Sequence, residues 1–167
     1  MTEIKLNLAC GTDYLDGWIN VDLHDTVKVD ASFDVSVVPY ADNSVDEIRA
    51  FHIIEHFHWH KGNEVLKEWC RVLKPGGRLH LETPDFLASC IEFVNGDADI
   101  RNRLYGHFFA TPWIPGQTHY FLFTEEQLKI QLQWAGFDVI NRIDPSSGYL
   151  RVSPARIFLA LEAFKKK

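Results

Sequence analysis

Two strand ends constrain this chain more than any other feature. The run Leu6-Asn7-Leu8 leads into the small-residue turn Ala9-Cys10-Gly11, and Trp18-Ile19-Asn20-Val21 ends on the carboxylate of Asp22, 11 positions after Gly11. In a parallel α/β sheet such ends lie side by side. The first offers backbone N–H groups and close approach to a ligand; the second offers an acceptor for ribose hydroxyls. This is the layout of a nucleoside-cofactor site. The spacing is short, however. A dinucleotide-binding unit places its acid about 20 residues after the glycine turn, because a whole helix intervenes. Residues 12–17 are too few for a stable helix, and residues 23–31 leave little room before the next strand.

Further strand-like runs fall at residues 32–35, 47–51, 78–82, 138–143 and 155–163, beside those at 5–9 and 18–21. Short apolar runs bounded by Gly, Asp or Pro read as strands buried on both faces. Helical spacing of apolar residues marks 61–73, 85–95 and 124–134, with a short helix at 100–109. Lys74-Pro75-Gly76-Gly77 reads as a stop and turn after the first of these. The order predicts one α/β domain over 1–167: a Rossmann-like, doubly wound sheet of seven strands. It is mostly parallel, closes with an antiparallel C-terminal hairpin, and has its early helices shortened or missing. Residues 96–120 form an excursion placed to act as a substrate lid.

Missing helices would leave an apolar sheet face to cover, which predicts either that the excursion folds over it or that a second copy of the chain does, as a homodimer. Net charge is −6 over 167 residues, and no basic stripe precedes Lys165-Lys166-Lys167, which reads as a solvated tail. Nucleic acid is therefore disfavoured as a partner. Three cysteines without metal-type spacing suit a reducing cytoplasm. No apolar run reaches membrane-spanning length.

In order along the chain, Leu6–Gly11, Gly17–Leu23, Val38–Ile48 with its Asp42-Asn43-Ser44-Val45-Asp46-Glu47 core, Glu55-His56 and Arg71–Leu79 resemble the motif series of the class I S-adenosylmethionine-dependent methyltransferases. A weaker likeness covers Phe123-Thr124 and Ala135-Gly136-Phe137. The resemblance spans most of residues 4–144 and implies S-adenosylmethionine as cofactor. Its wall would be Leu8, Ala9, Cys10, Gly11, Asp22, Leu23, Asp34, Val35 and His52. Ala9, Cys10 and Gly11 would pass close to the methionine part, Asp22 would take the ribose diol, and Asp34 the adenine amino group. His52 would border the methyl-transfer face. The family's usual first glycine is replaced here by Ala9.

Methyl transfer from a sulfonium is an in-line displacement, to which the protein adds alignment, exclusion of water and, for a hydroxyl acceptor, a base. Candidate catalytic groups are His52, Glu55, His56 and His119, with His107 a further imidazole nearby in sequence. Aromatic residues Phe108, Phe109, Trp113 and Tyr120 could stack on a sugar. The expected activity is O-methylation of a small molecule, a nucleotide-sugar or a polysaccharide end. One alternative is a catalytically inactive cofactor-binding or assembly module. Another is a metal-dependent hydrolase using His52, Glu55 and His56, whose His-x-x-Glu-His spacing matches a zinc-peptidase motif when it lies on a helix. No third ligand follows at a recognisable spacing, so no metal is expected. A nicotinamide-dependent reductase is disfavoured by the absence of Gly-x-Gly-x-x-Gly.

Overall fold

The computed structural model describes residues 3–23, 27–114, 116–146 and 157–167. Strands β1 (Lys5–Leu8), β2 (Ile19–Val21), β3 (Val45–Phe51), β4 (Leu73–Pro84), β5 (Phe137–Ile143) and β6 (Phe158–Lys165) form one sheet in the order β2-β1-β3-β4-β6-β5. The first four strands run parallel, and β6 lies antiparallel between β4 and β5. Helices are α1 (Trp59–Val72), α2 (Phe86–Asn95), α3 (Ala98–Phe109) and α4 (Glu125–Ala135). None among the described residues is long and apolar enough to cross a membrane. The turn-rich stretch expected before the last strand falls largely within residues 147–156, outside the described set.

The sheet has six strands among the described residues, not seven. Residues 32–35 form no strand; a single-residue bridge pairs Val21 with the preceding Ala31. The physical reason lies in who takes the hydrogen bonds. Asp30 Oδ2 accepts from Asn20 N–H, and Asn20 C=O accepts from the amides of Asp30 and Ala31, so the outer edge of β2 is already satisfied. Farther on, Asp34 accepts from Ser36 N–H at 2.8 Å, and the buried Trp69 Nε1 donates to Val35 C=O at 2.9 Å. The segment is pinned as a turn. A second correction concerns Lys74–Gly77, which runs inside β4. Val45 pairs with Leu73 and Glu47 with Arg78, so residues 74–77 bulge out of the ladder. Gly77 is required there, because a Cβ would meet Lys74 C=O at 2.8 Å.

The strands are not apolar on both sides. Leu6, Leu8, Val21, Ile48, Leu79, Leu81, Leu159 and Leu161 join the core with Val65, Leu66 and Trp69 of α1 and Leu128 and Leu132 of α4. Alternate residues point to the other side. There Lys5, Glu47 and Arg78 stand in a row across β1, β3 and β4. Lys5 lies 3.9 Å from Glu47, Arg78 pairs closely with Glu47, and Arg78 lies 3.7 Å from Glu162. The next row carries Asn20, Asn7, Arg49 and His80.

Arg49 donates to Asn7 Oδ1 at 2.8 Å and to Asp13 at 2.5 Å. Asn7 donates to Asn20 Oδ1 at 2.9 Å, and that same oxygen accepts from Leu15 N–H. Residues 12–17 are thus tied onto this face where a helix would otherwise lie. The apolar face that predicted a second copy of the chain is, over these strands, a polar one, and that reason for a homodimer falls away.

The ends of the elements follow the expected chemistry. Asp85 caps α2 by accepting from Ala88 N–H, and Thr124 caps α4 by accepting from Gln127 N–H. Gly136 ends α4 in the left-handed region at φ 112°. Lys165 is not part of a free tail: its Nζ donates to Arg71 and Leu73 carbonyls at 3.2 and 2.8 Å, at the end of α1.

Candidate active site

From β1 the chain passes outward to β2 and then back across to β3, so the strand order reverses beside β1. In open α/β sheets ligands bind outside the carboxyl ends of strands at such a point. At the end of β1, Ala9 and Gly11 adopt φ 51° and 50°, the left-handed region. Glycine does so freely, whereas Ala9 holds this geometry at a cost of about 1–2 kcal/mol. Cys10 N–H donates to Val21 C=O at 2.9 Å, which draws the turn against the end of β2.

Asp22 meets the same turn: its Oδ2 accepts from Gly11 N–H at 2.9 Å, and the residue is buried. The expected juxtaposition of a small-residue turn and an acid is therefore present without an intervening helix. Burial, followed by the nearby charge of Asp22, pushes the Cys10 thiol up to about 11, so it is no nucleophile at neutral pH.

The other expected cofactor residues are spread less favourably. Leu8 is buried in the core under the turn, and Leu23 stands exposed beside Asp22. Val35 is buried. Asp34 is exposed and closes its own turn onto Ser36, rather than ending a strand.

The second half of the site follows β3. His52 sits at φ 52°, a conformation that β-strands exclude and that side chains other than glycine rarely adopt. Its amide donates to Glu82 C=O at 2.8 Å. A single 3-10 turn, Ile54–His56, comes next. The His-x-x-Glu-His spacing is therefore not carried on an α-helix, and the zinc-peptidase geometry does not form.

Instead, the backbone folds the expected catalytic residues around one carboxylate. Glu55 is fully buried, and Thr83 Oγ1 donates to its Oε2 at 3.1 Å. His52 Nδ1 lies 3.3 Å from Glu55 Oε1, and His119 Nε2 lies 3.9 Å from it. Oε1 has no aligned hydrogen-bond donor among the described residues.

His119 arrives from 64 positions away because the returning excursion docks on this turn. The amides of Tyr120 and Phe121 donate to Glu55 C=O at 2.8 and 3.3 Å. His56 Nδ1 lies 3.1 Å from Thr118 C=O, and His119 Nδ1 lies 2.8 Å from His107 C=O. A carbonyl can only accept, so both Nδ1 atoms carry a proton, and a neutral ring so oriented keeps its lone pair on Nε2.

Burial would raise the Glu55 carboxyl, but His52 close beside it, then His119 and His56, hold it below its ordinary value. Burial lowers His119, and takes His107 down to about 4. Thr83 is the contributor that sequence reading missed. Its position at the carboxyl end of β4, in Glu82-Thr83-Pro84, was the available signal.

Residues of α2 and α3 border an apolar cleft of about 390 Å³ walled by Phe86, Phe93, Val94, Phe108 and Phe109. His107, whose carbonyl holds His119, directly precedes the last two. Phe108 packs on Phe86 and Phe93, Tyr120 lies 4.1 Å from His58 ring to ring, and Trp113 is exposed.

Residues 6–81 match the family model described as a methyltransferase domain. The chain has the fold of the class I S-adenosylmethionine-dependent methyltransferases. Among solved structures, a S-adenosylmethionine-dependent methyltransferase from Archaeoglobus fulgidus superposes with a TM-score of 0.67 at 17% identity, over 98% of this chain and 86% of that one. A similar enzyme from Methanosarcina mazei gives 0.66 at 17% identity, over 99% and 94%. A possible exported protein from Bordetella parapertussis gives 0.67 at 16% identity over 98% of this chain, which spans only 62% of that one. No curated protein matches in sequence.

Proposed function

We propose that this chain is an active methyltransferase that moves the methyl group of S-adenosylmethionine to a hydroxyl oxygen of a small molecule or saccharide. The observation that carries the cofactor half is the 2.9 Å contact between Gly11 N–H and Asp22, which sets a carboxylate beside a turn of small residues. Ala9, Cys10 and Gly11 border the methionine end, Asp22 takes the ribose diol, and Leu23 offers an apolar surface beside it. Asp34 and Val35 would border the adenine ring.

In the transfer, the acceptor oxygen attacks the methyl carbon as the carbon–sulfur bond breaks. Sulfur keeps that electron pair and becomes a neutral thioether. The hydroxyl proton passes to His52, which Glu55 orients from 3.3 Å away. His119 and His56 complete the rim, and the docked excursion excludes water from it. The apolar cleft between α2 and α3 favours an acceptor with an apolar portion. Three free cysteines, two of them buried, fit a reducing compartment, and we place the protein in the cytoplasm.

The test is transfer of labelled methyl from S-adenosylmethionine to a panel of hydroxylated acceptors, with Glu55→Gln alongside. Transfer should fall at least a hundredfold in the variant, while its cofactor affinity stays within twofold. An inactive protein that still binds cofactor would instead indicate a binding module.

A further inference from the structure

Glu55, His56 and His119 each offer one ligand atom, and these three atoms lie within 4.8 Å of one another. They come from two separated segments, locked together by the amides of Tyr120 and Phe121 on Glu55 C=O. Three features beyond proximity are those of a cation site. Glu55 Oε1 is fully buried, and the imidazoles around it, His52 Nδ1 at 3.3 Å and His119 Nε2 at 3.9 Å, make no aligned hydrogen bond to it, which leaves coordination capacity on a carboxylate oxygen shut away from water. Thr83 holds the other oxygen, which fixes the direction in which Oε1 points. Both imidazoles donate Nδ1–H to backbone carbonyls, the second-shell arrangement that orients a histidine to ligate through Nε2.

We propose that Glu55, His56 and His119 hold a divalent first-row transition cation beside the methyl-transfer face. Two imidazole nitrogens and one carboxylate oxygen suit zinc, manganese, iron or cobalt, whereas magnesium and calcium favour all-oxygen shells. A tetrahedral ion with bonds of about 2.1 Å spaces its ligands about 3.4 Å apart, so the widest gap must close by about 1.4 Å at most. A tetrahedral ion held by three protein ligands keeps its fourth position open. There the cation would seat the acceptor oxygen before attack, and the hydroxyl proton would leave to His52 as before. The cation site stands on its own geometry, whereas this use of it rests on the methyltransferase reading.

The experiment is titration of chelator-treated protein with Co²⁺, followed by its visible d–d absorption and by competition with Zn²⁺. One Co²⁺ per chain is expected, displaced by Zn²⁺. Affinity should fall at least tenfold in His119→Ala and in Glu55→Gln and be unchanged in His60→Ala, an exposed neighbour outside the cluster. Because Glu55 is fully buried, thermal unfolding checks that each variant is folded, and His56→Ala replaces any that is not. Absorption that persists in the cluster variants, or no binding at sub-millimolar Co²⁺, overturns the site. Calorimetry with S-adenosylmethionine on the same samples separates the two readings. Cofactor binding without a Co²⁺ site removes only the cation, and a Co²⁺ site without cofactor binding removes only the methyltransferase.

Discussion

On one side of the sheet, Leu6, Leu8, Ile48, Leu79 and Leu81 meet α1 and α4 in a dry core; on the other, the same strands present Lys5, Asn7, Glu47, Arg49, Arg78 and His80. The first side is held by burial of apolar surface and the second by paired charges and a short loop hydrogen-bonded onto it. The difference teaches how a chain with shortened early helices keeps a crevice at the carboxyl ends of β1 and β2. A helix layer needs an apolar face to sit on, and a face made of charged rows needs none. Only the end of β1, where Ala9–Gly11 must meet Asp22, has to be positioned, and the loop over residues 12–17 does this through Asn7, Asn20 and Arg49.

The contrast can be broken most forcefully from the dry side. Leu81→Ala should cost about 2–5 kcal/mol in urea unfolding, since Leu81 is fully buried among core side chains. A loss below about 1 kcal/mol would mean that the two faces are not built differently. Arg49→Ala comes next, at about 1–3 kcal/mol, because it strips the donor from the buried Asn7 Oδ1 and frees Asp13. It should also weaken cofactor binding severalfold by loosening the loop behind Gly11. Unchanged cofactor affinity would detach the polar face from the site. Smallest is Arg78→Ala, whose partners Glu47 and Glu162 lie on a partly solvated ladder. Its cost should stay below about 1 kcal/mol and shrink further in high salt.

Much of this was legible in the chain. The order of strands and helices, the antiparallel hairpin, the caps at Asp85 and Thr124 and the pairing of Gly11 with Asp22 all follow from local patterns. The polar face was legible but easily misread. Lys5-Leu6-Asn7-Leu8 and Arg78-Leu79-His80-Leu81-Glu82 alternate with period two, yet their leucines suggest burial on both sides. The false strand at 32–35 has the right alternation too; what removes it is side-chain competition from Asp30, Asp34 and Trp69 for its backbone. No local pattern could bring His119 to Glu55 across 64 positions. That meeting depends on how the excursion returns, which only the packing of residues 118–121 on the Ile54–His56 turn decides.

The central claim is a pocket in which Asp22 holds the sugar of the methyl donor. Isothermal titration of S-adenosylmethionine into the wild-type chain and into Asp22→Ala measures it directly. The account predicts one bound cofactor per chain and a loss of more than tenfold in the variant, about 1.4 kcal/mol. Equal affinity in the two proteins, or no binding by the wild type, would contradict it.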